Sequence, residues 1–102
     1  TAWALAVCIK LIQLIEPGGN PDWARDDDAD LGRRIGALRH VRSHPLETVH
    51  GNGPPFNGVR ELWWPTMWAF KQGIAANPEA YRSLMLRAGK SNAVLAQAEL
   101  IM

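Results

Sequence analysis

The sequence predicts an all-α fold made of about five short helices in one compact domain. Two helix-start signals, "NPDW" and "NPEAY", an apolar stripe at helical spacing, and the lack of any stretch that clearly indicates a strand favour this class. With 102 residues the chain can form one core but not two, so residues 1–102 are predicted to be a single small globular domain. The alternative is an α+β fold with the N-terminal apolar run as a strand.

The N-terminal run from Ala2 to Ile15 is predicted to be a nearly buried helix. Its polar residues recur at every third position, at Lys10, Gln13 and Glu16, which places them on one narrow stripe. Apolar residues cover the remaining surface: Trp3, Leu5, Val7, Ile9, Leu11, Ile12 and Leu14. A strand is the second interpretation, because apolar residues also alternate from Trp3 to Leu11 and short apolar runs are ambiguous.

The second helix is predicted to begin at "NPDW". Asn20 suits the N-cap, Pro21 the first helical position, and Asp22 the positive end of the helix dipole. Its apolar stripe follows at spacings of four, three and three residues: Leu31, Ile35, Leu38 and Val41. Pro45 is expected to end this helix.

The second half of the chain is predicted to be a loop followed by three helices. The Gly-, Pro- and Asn-rich segment from Gly51 to Gly58 indicates the loop. Pro65 starts a helix that runs to about Gln72, and "NPEAY" at Asn77 starts another that Gly89 ends. Ser91 is expected to cap a last helix through "NAVLAQAELIM".

Composition and charge disfavour several classes of function. The net charge of +1 lacks the basic excess of a nucleic-acid-binding domain, so no nucleic-acid partner is expected. Cys8 is the single cysteine and lies in an apolar run, which predicts a buried, unreactive thiol and fits a cytoplasmic protein. The N-terminal run is too short and too polar for a transmembrane segment, and it lacks the features of a signal peptide. No cofactor is expected.

All three histidines lie in the segment "HVRSHPLETVH", at His40, His44 and His50. This spacing resembles the HExxHxxGxxH signature of the metzincin proteases, in which three histidines bind zinc. The resemblance covers only these eleven positions, and the general-base glutamate and the turn glycine of that family are replaced by Val41 and Glu47. The histidines are therefore low-probability metal ligands, and the preferred interpretation is a helix end running into a loop. The enzyme alternative is a metal-dependent hydrolase built from these three residues.

Aromatic side chains are concentrated between Trp63 and Phe70, which is the most unusual feature of the chain. A small core is not expected to bury all of them, and tryptophan is over-represented at interfaces. The sequence therefore predicts a binding domain that contacts a protein partner or a second copy of itself as a homodimer. The predicted contact residues are Trp63, Trp64, Trp68 and Phe56. A second alternative is a small apolar-ligand pocket beside the aromatic loop.

Overall fold

The computed structural model describes residues 7–53 and 56–102, which form four strands and three helices. In chain order these are β1 (Val7–Ile15), α1 (Asp28–Arg34), β2 (Arg39–Ser43), β3 (Gly58–Trp64), α2 (Met67–Ala76), α3 (Pro78–Arg87) and β4 (Ser91–Glu99). The fold is therefore α+β, and the prediction of an all-α domain with five helices is wrong. The α+β alternative, with the N-terminal apolar run as a strand, describes the class correctly.

The four strands form one antiparallel sheet in the order β2-β3-β1-β4. β1 is a central strand that pairs with β3 on one side, with Leu11 opposite Leu62, and with β4 on the other, with Leu11 opposite Leu95. β2 pairs with β3 at the far edge, with His40 opposite Leu62. Because directly opposite residues project to the same face, these registers assign each strand residue to one of two faces.

Both ends of the described chain are strands where helices were expected. β1 is apolar at odd and even positions alike because it lies in the middle of the sheet, and this continuous apolarity resembles that of a buried helix. β4 was predicted as a helix capped by Ser91, but Ser91 is instead its first residue and pairs with Ile15. Trp3 and Leu5 lie outside the described residues.

The segment after β1 turns instead of forming the predicted second helix. The Asn20 Oδ1 atom accepts a hydrogen bond from the backbone N–H of Asp22 at 3.0 Å, while its Nδ2 donates to the carbonyl of Arg87 at 2.8 Å. The helix α1 begins only at Asp28, and Gly36, with φ of 78°, turns the chain after it. The last two residues of the predicted apolar stripe therefore belong to the sheet region. Leu38 lies directly before the edge strand β2, and Val41 lies within it.

Two of the predicted helices are confirmed with small shifts in their bounds. α2 begins at Met67 and not at Pro65, and the hydroxyl of its N-cap Thr66 accepts a hydrogen bond from the N–H of Ala69 at 3.0 Å. α3 begins as predicted at the Asn77 cap, and the chain leaves it through Gly89, where φ is 67°.

The three helices pack on one face of the sheet. The core joins Leu11, Leu62 and Trp64 of that face to buried residues from the helical layer, which are Ile35, Ala80 and Leu84. A β-carbon at Gly73 in α2 would lie 1.9 Å from the carbonyl oxygen of Ile35, so only glycine permits this approach.

Cys8 is 2% exposed, and burial raises the pKa of its thiol, as expected of an unreactive cysteine. Within residues 7–53 and 56–102 no helix has the length and apolarity needed to cross a bilayer.

Candidate functional site

The second face of the sheet carries an apolar surface without a helical layer among the described residues. The registers place Cys8 of β1, Arg39 and Ser43 of β2, and Asn92 and Ala98 of β4 on this side, together with nine further residues: Lys10, Ile12 and Leu14 of β1, Val59, Glu61 and Trp63 of β3, Val41 of β2, and Val94 and Ala96 of β4. We call these nine further residues the open face. Val41 and Val94 are 37% and 51% exposed, and most of the others are half-buried by their neighbours in the sheet. A sheet that is apolar on both faces normally has both covered, so this surface is a candidate binding site.

The two charges at the centre of the open face are paired with each other. The Lys10 Nζ atom lies 3.4 Å from a carboxylate oxygen of Glu61 and 4.5 Å from the centroid of the Trp63 ring. Lys10 therefore combines an ion pair with a cation–π contact. Because both charges already have partners within the chain, apolar side chains around them can be covered without leaving a charge unpaired.

The four predicted contact residues lie in different parts of the molecule. Trp63 lies on the open face, whereas its neighbour Trp64 is completely buried on the helical side, where its Nε1 donates to the carbonyl of Ile35 at 2.8 Å. Trp68 on α2 is 71% exposed, and Phe56 is half-buried in the segment before β3. Adjacent strand residues project to opposite faces, which separates the first pair.

The three histidines are not brought together. His40 lies on the helical face of β2, the ring of His44 lies 5.2 Å from that of Trp23, and His50 is exposed in the following loop. In the two described ranges there is no group of three or more His, Cys, Asp or Glu side chains that could hold a metal ion.

A buried ionic cluster, which was not predicted from the sequence, lies between the sheet and helices α1 and α3. Asp28 Oδ2 accepts from Arg60 Nη1 at 2.8 Å and from Arg42 Nη1 at 3.1 Å. Its other oxygen accepts from Arg87 Nη1 at 2.7 Å, and Arg87 also contacts Asp27 at 2.6 Å. Asp28 is 3% exposed and Arg60 is fully buried. One carboxylate thus connects two strands to a helix across the core.

Arg60 and Asp28 hold each other in their charged forms. Burial opposes the ionisation of Asp28, but the hydrogen bond and charge of Arg60 outweigh it, so the pKa of Asp28 lies below its ordinary value. Arg60 also donates to the carbonyl of Trp23 at 2.6 Å and to Gln13 Oε1 at 3.3 Å. The guanidinium is therefore surrounded by acceptors, as a buried charge requires.

His40 completes this cluster as a neutral ring. Its Nε2 lies 2.8 Å from Arg60 Nη1, and since a guanidinium can only donate, Nε2 accepts and the ring proton belongs on Nδ1. Burial, followed by the charge of Arg60, lowers the pKa of His40 from 6.5 to about 4. Nδ1 is buried against Gly32 and has no hydrogen-bond partner among the described residues. With Nε2 occupied in this way, His40 is not available as a general base at neutral pH.

Solved structures with the same fold come from EthD proteins. The chain is similar to an ethyl tert-butyl ether D (EthD) family protein of Bacillus halodurans C-125, with a TM-score of 0.67 and 21% identity over 91% of this chain and 99% of that one. It is also similar to an EthD-like protein of Ralstonia eutropha JMP134, with a TM-score of 0.65 and 12% identity over 93% and 94% of the two chains. No protein-family model and no curated protein matches the sequence. At these identities the similarity establishes the fold alone.

Proposed function

We propose that this chain is a binding domain that associates with a second copy of itself through the open face. The observation that carries the proposal is a four-stranded sheet whose described helices all pack on one side, while Ile12, Trp63 and Val94 remain on the other. An apolar sheet face gains free energy when it is covered, and a second identical face supplies a matching apolar surface. A twofold arrangement would make the contact isologous and closed.

The dimensions of the open face suit such a contact. Four strands spaced by about 4.8 Å and up to nine residues long at about 3.4 Å each give a geometric area of about 500 Å². Two copies together would cover about 1,000 Å², which is the lower limit for a biological interface and slightly below the range of about 1,200–2,000 Å² for stable ones. The central Lys10–Glu61 pair is neutral, but the register places the exposed Arg39 opposite Trp63 on the same side of the sheet, so charge does not by itself distinguish a second copy from another partner.

The test is sedimentation equilibrium of wild type and two charge-introducing variants across a concentration series. Val94→Lys places one ammonium on the open face of each copy, and Met67→Lys places the same charge on α2, away from that face. The two side chains have similar exposure, 51% and 41%, so neither substitution is expected to disturb the fold of the single chain. We expect wild type and Met67→Lys to dimerise and Val94→Lys to remain monomeric. A monomeric wild type, or equal association of both variants, would overturn the proposal.

Fluorescence quenching of Trp63 and Trp68 provides an independent test. Trp63 lies on the open face and Trp68 on α2, so dimer formation should shield Trp63 from a soluble quencher and leave Trp68 accessible. Each single variant, Trp63→Phe or Trp68→Phe, keeps four of the five tryptophans, so the difference in quenching from wild type gives the contribution of the replaced residue. If dilution below the dissociation constant does not increase quenching in Trp68→Phe, a contact through the open face is excluded.

A further inference from the structure

A groove of about 610 Å³ separates α1 from α3 on the helical side of the molecule, away from the open face. Its volume lies within the range of small-molecule sites, about 300–1,000 Å³. Leu31 of α1 and Leu86 of α3 contribute apolar surface, and Leu86 is 70% exposed even though it is a large apolar side chain. The groove therefore offers a ligand the apolar surface of Leu86, most of which no other part of the described chain covers.

Positive charge is concentrated around this groove. Four arginines and one acidic residue, Glu79, line it, although the whole chain carries a net charge of only +1. Arg87 is 8% exposed and is held by Asp27 and Asp28, and Arg34 pairs with Asp30 at 2.8 Å.

Arg25 and Arg82 are the groove arginines with the most donors left for a ligand. Neither takes part in an ion pair among the described residues, and the Arg25 Nε atom donates only to the carbonyl of Asp22. Arginine guanidinium groups bind carboxylates and phosphates through paired N–H donors.

Ser83, which lies between Arg82 and Arg87 in the sequence of α3, adds a hydroxyl donor to the groove. Its hydroxyl oxygen accepts from Arg87 Nη2 at 3.4 Å, so its own proton can point to another acceptor. The groove thus combines two guanidinium groups, a hydroxyl donor and apolar side chains.

We infer that the groove between α1 and α3 binds a small organic anion, with a carboxylate or phosphate group on Arg25 and Arg82 and an apolar group against Leu31 and Leu86. The shared chemistry is an anionic head on a short apolar body. This site is separate from the proposed dimer contact, because its residues lie on the two helices and the segment before α1, not on the open face. Either inference can therefore fail without the other.

The test is a two-dimensional NMR titration of the full chain with four probes. Phenylacetate carries a carboxylate and phenyl phosphate carries a phosphate, each attached to a phenyl ring. Benzyl alcohol is the uncharged analogue, and inorganic phosphate lacks the apolar group. We expect saturable chemical-shift changes at residues of α1 and α3 with at least one aromatic anion. The anion that binds more tightly identifies the preferred head group. We also expect weaker binding of benzyl alcohol and inorganic phosphate. Equal binding of the uncharged analogue, or shifts confined to the open face, would overturn the inference.

A matched pair of arginine variants makes the test specific. Arg82→Ala removes a groove arginine without an ion pair, and Arg33→Ala removes an exposed arginine of α1 that does not line the groove. Loss of a charge-assisted hydrogen bond is expected to weaken binding by about tenfold in Arg82→Ala, with no change in Arg33→Ala. Equal affinity of the two variants would show that general surface charge, and not this groove, attracts the probe.

Discussion

Replacing Asp28 with asparagine removes the negative charge that Arg42, Arg60 and Arg87 share. The amide keeps the shape of the side chain but presents an N–H group where one carboxylate oxygen accepts hydrogen bonds. Asp28 is 3% exposed and Arg60 is fully buried, so water cannot replace the lost acceptor. Breaking a buried ion pair by removing one partner costs about 3–5 kcal/mol, because the other charge is left uncompensated.

The matched control is the same substitution two residues later. Asp30 pairs with Arg34 at 2.8 Å on the exposed side of α1, and both side chains are more than half exposed. Such a surface pair contributes about 0.3–0.5 kcal/mol. Asp28→Asn and Asp30→Asn thus change the charge of one helix equally and differ in burial.

Thermal and urea unfolding followed by circular dichroism measure the difference. At about 4–8 °C per kcal/mol for a chain of this size, Asp28→Asn should lower Tm by at least about 12 °C and Asp30→Asn by a few degrees at most. Because the pKa of Asp28 is lowered by folding, its stabilising effect is present above pH 3.8 and is lost as the pH falls through the lowered value. The gap between wild type and Asp28→Asn should therefore close in acid. Equal melting temperatures of the two variants at neutral pH would refute the reasoning.

Three further measurements test the packing and the helix ends. Gly73→Ala should prevent native folding, since its β-carbon would lie 1.9 Å from the carbonyl oxygen of Ile35, and loss of the cooperative thermal transition would report this. The pKa of His40 falls from 6.5 to about 4 on folding, so the unfolded chain binds the extra proton between these values. The free energy of unfolding should then decrease as the pH falls through that window, by up to about 3 kcal/mol, and a His40→Gln variant should lose this dependence. Thr66→Ala removes the oxygen that accepts the N–H of Ala69 at 3.0 Å, and a destabilisation of about 1 kcal/mol is expected in urea titrations; no change would show that the cap is already satisfied by solvent.

Local signals predicted the elements whose stability is local. α3 is bounded by the Asn77 cap, Pro78 and Gly89, three residues that act on their own neighbours in the chain. The similar start at Asn20 failed because its side chain bonds the carbonyl of Arg87, 67 positions away, and closes a turn. No property of the dipeptide Asn-Pro distinguishes these two outcomes.

Strand pairing overrides helix propensity at β4. Its sequence, from Ser91 to Glu99, is rich in alanine and contains leucine and glutamine, all good helix formers. All nine of its residues nevertheless pair with β1 from Ile15 back to Val7, and this partner cannot be seen from within the segment.

The candidate sites depend on facts that only the fold supplies. The aromatic segment drew attention to Trp63 and Trp64 alike, and placing them on opposite faces requires knowing that the segment is a strand. Asp28 is one of four aspartates between Asp26 and Asp30, and it is buried whereas the other three are exposed. The sequence signal for the ionic cluster was in β3, where Arg60 shares its face with the apolar residues Leu62 and Trp64. An arginine on a core-facing side requires a carboxylate partner beside it.

The order of the strands also has a consequence for protein synthesis. β1 leaves the ribosome before β4, yet one of its edges pairs with β4, and Gln13 and Ser91 form a hydrogen bond across 78 positions. Until β4 has been made, that edge presents free backbone donors and acceptors beside an apolar surface, which is the template on which strands of other chains assemble. Nascent or refolding chains should therefore aggregate most readily during this interval, so that a high yield requires dilute conditions or a chaperone that covers the edge of β1.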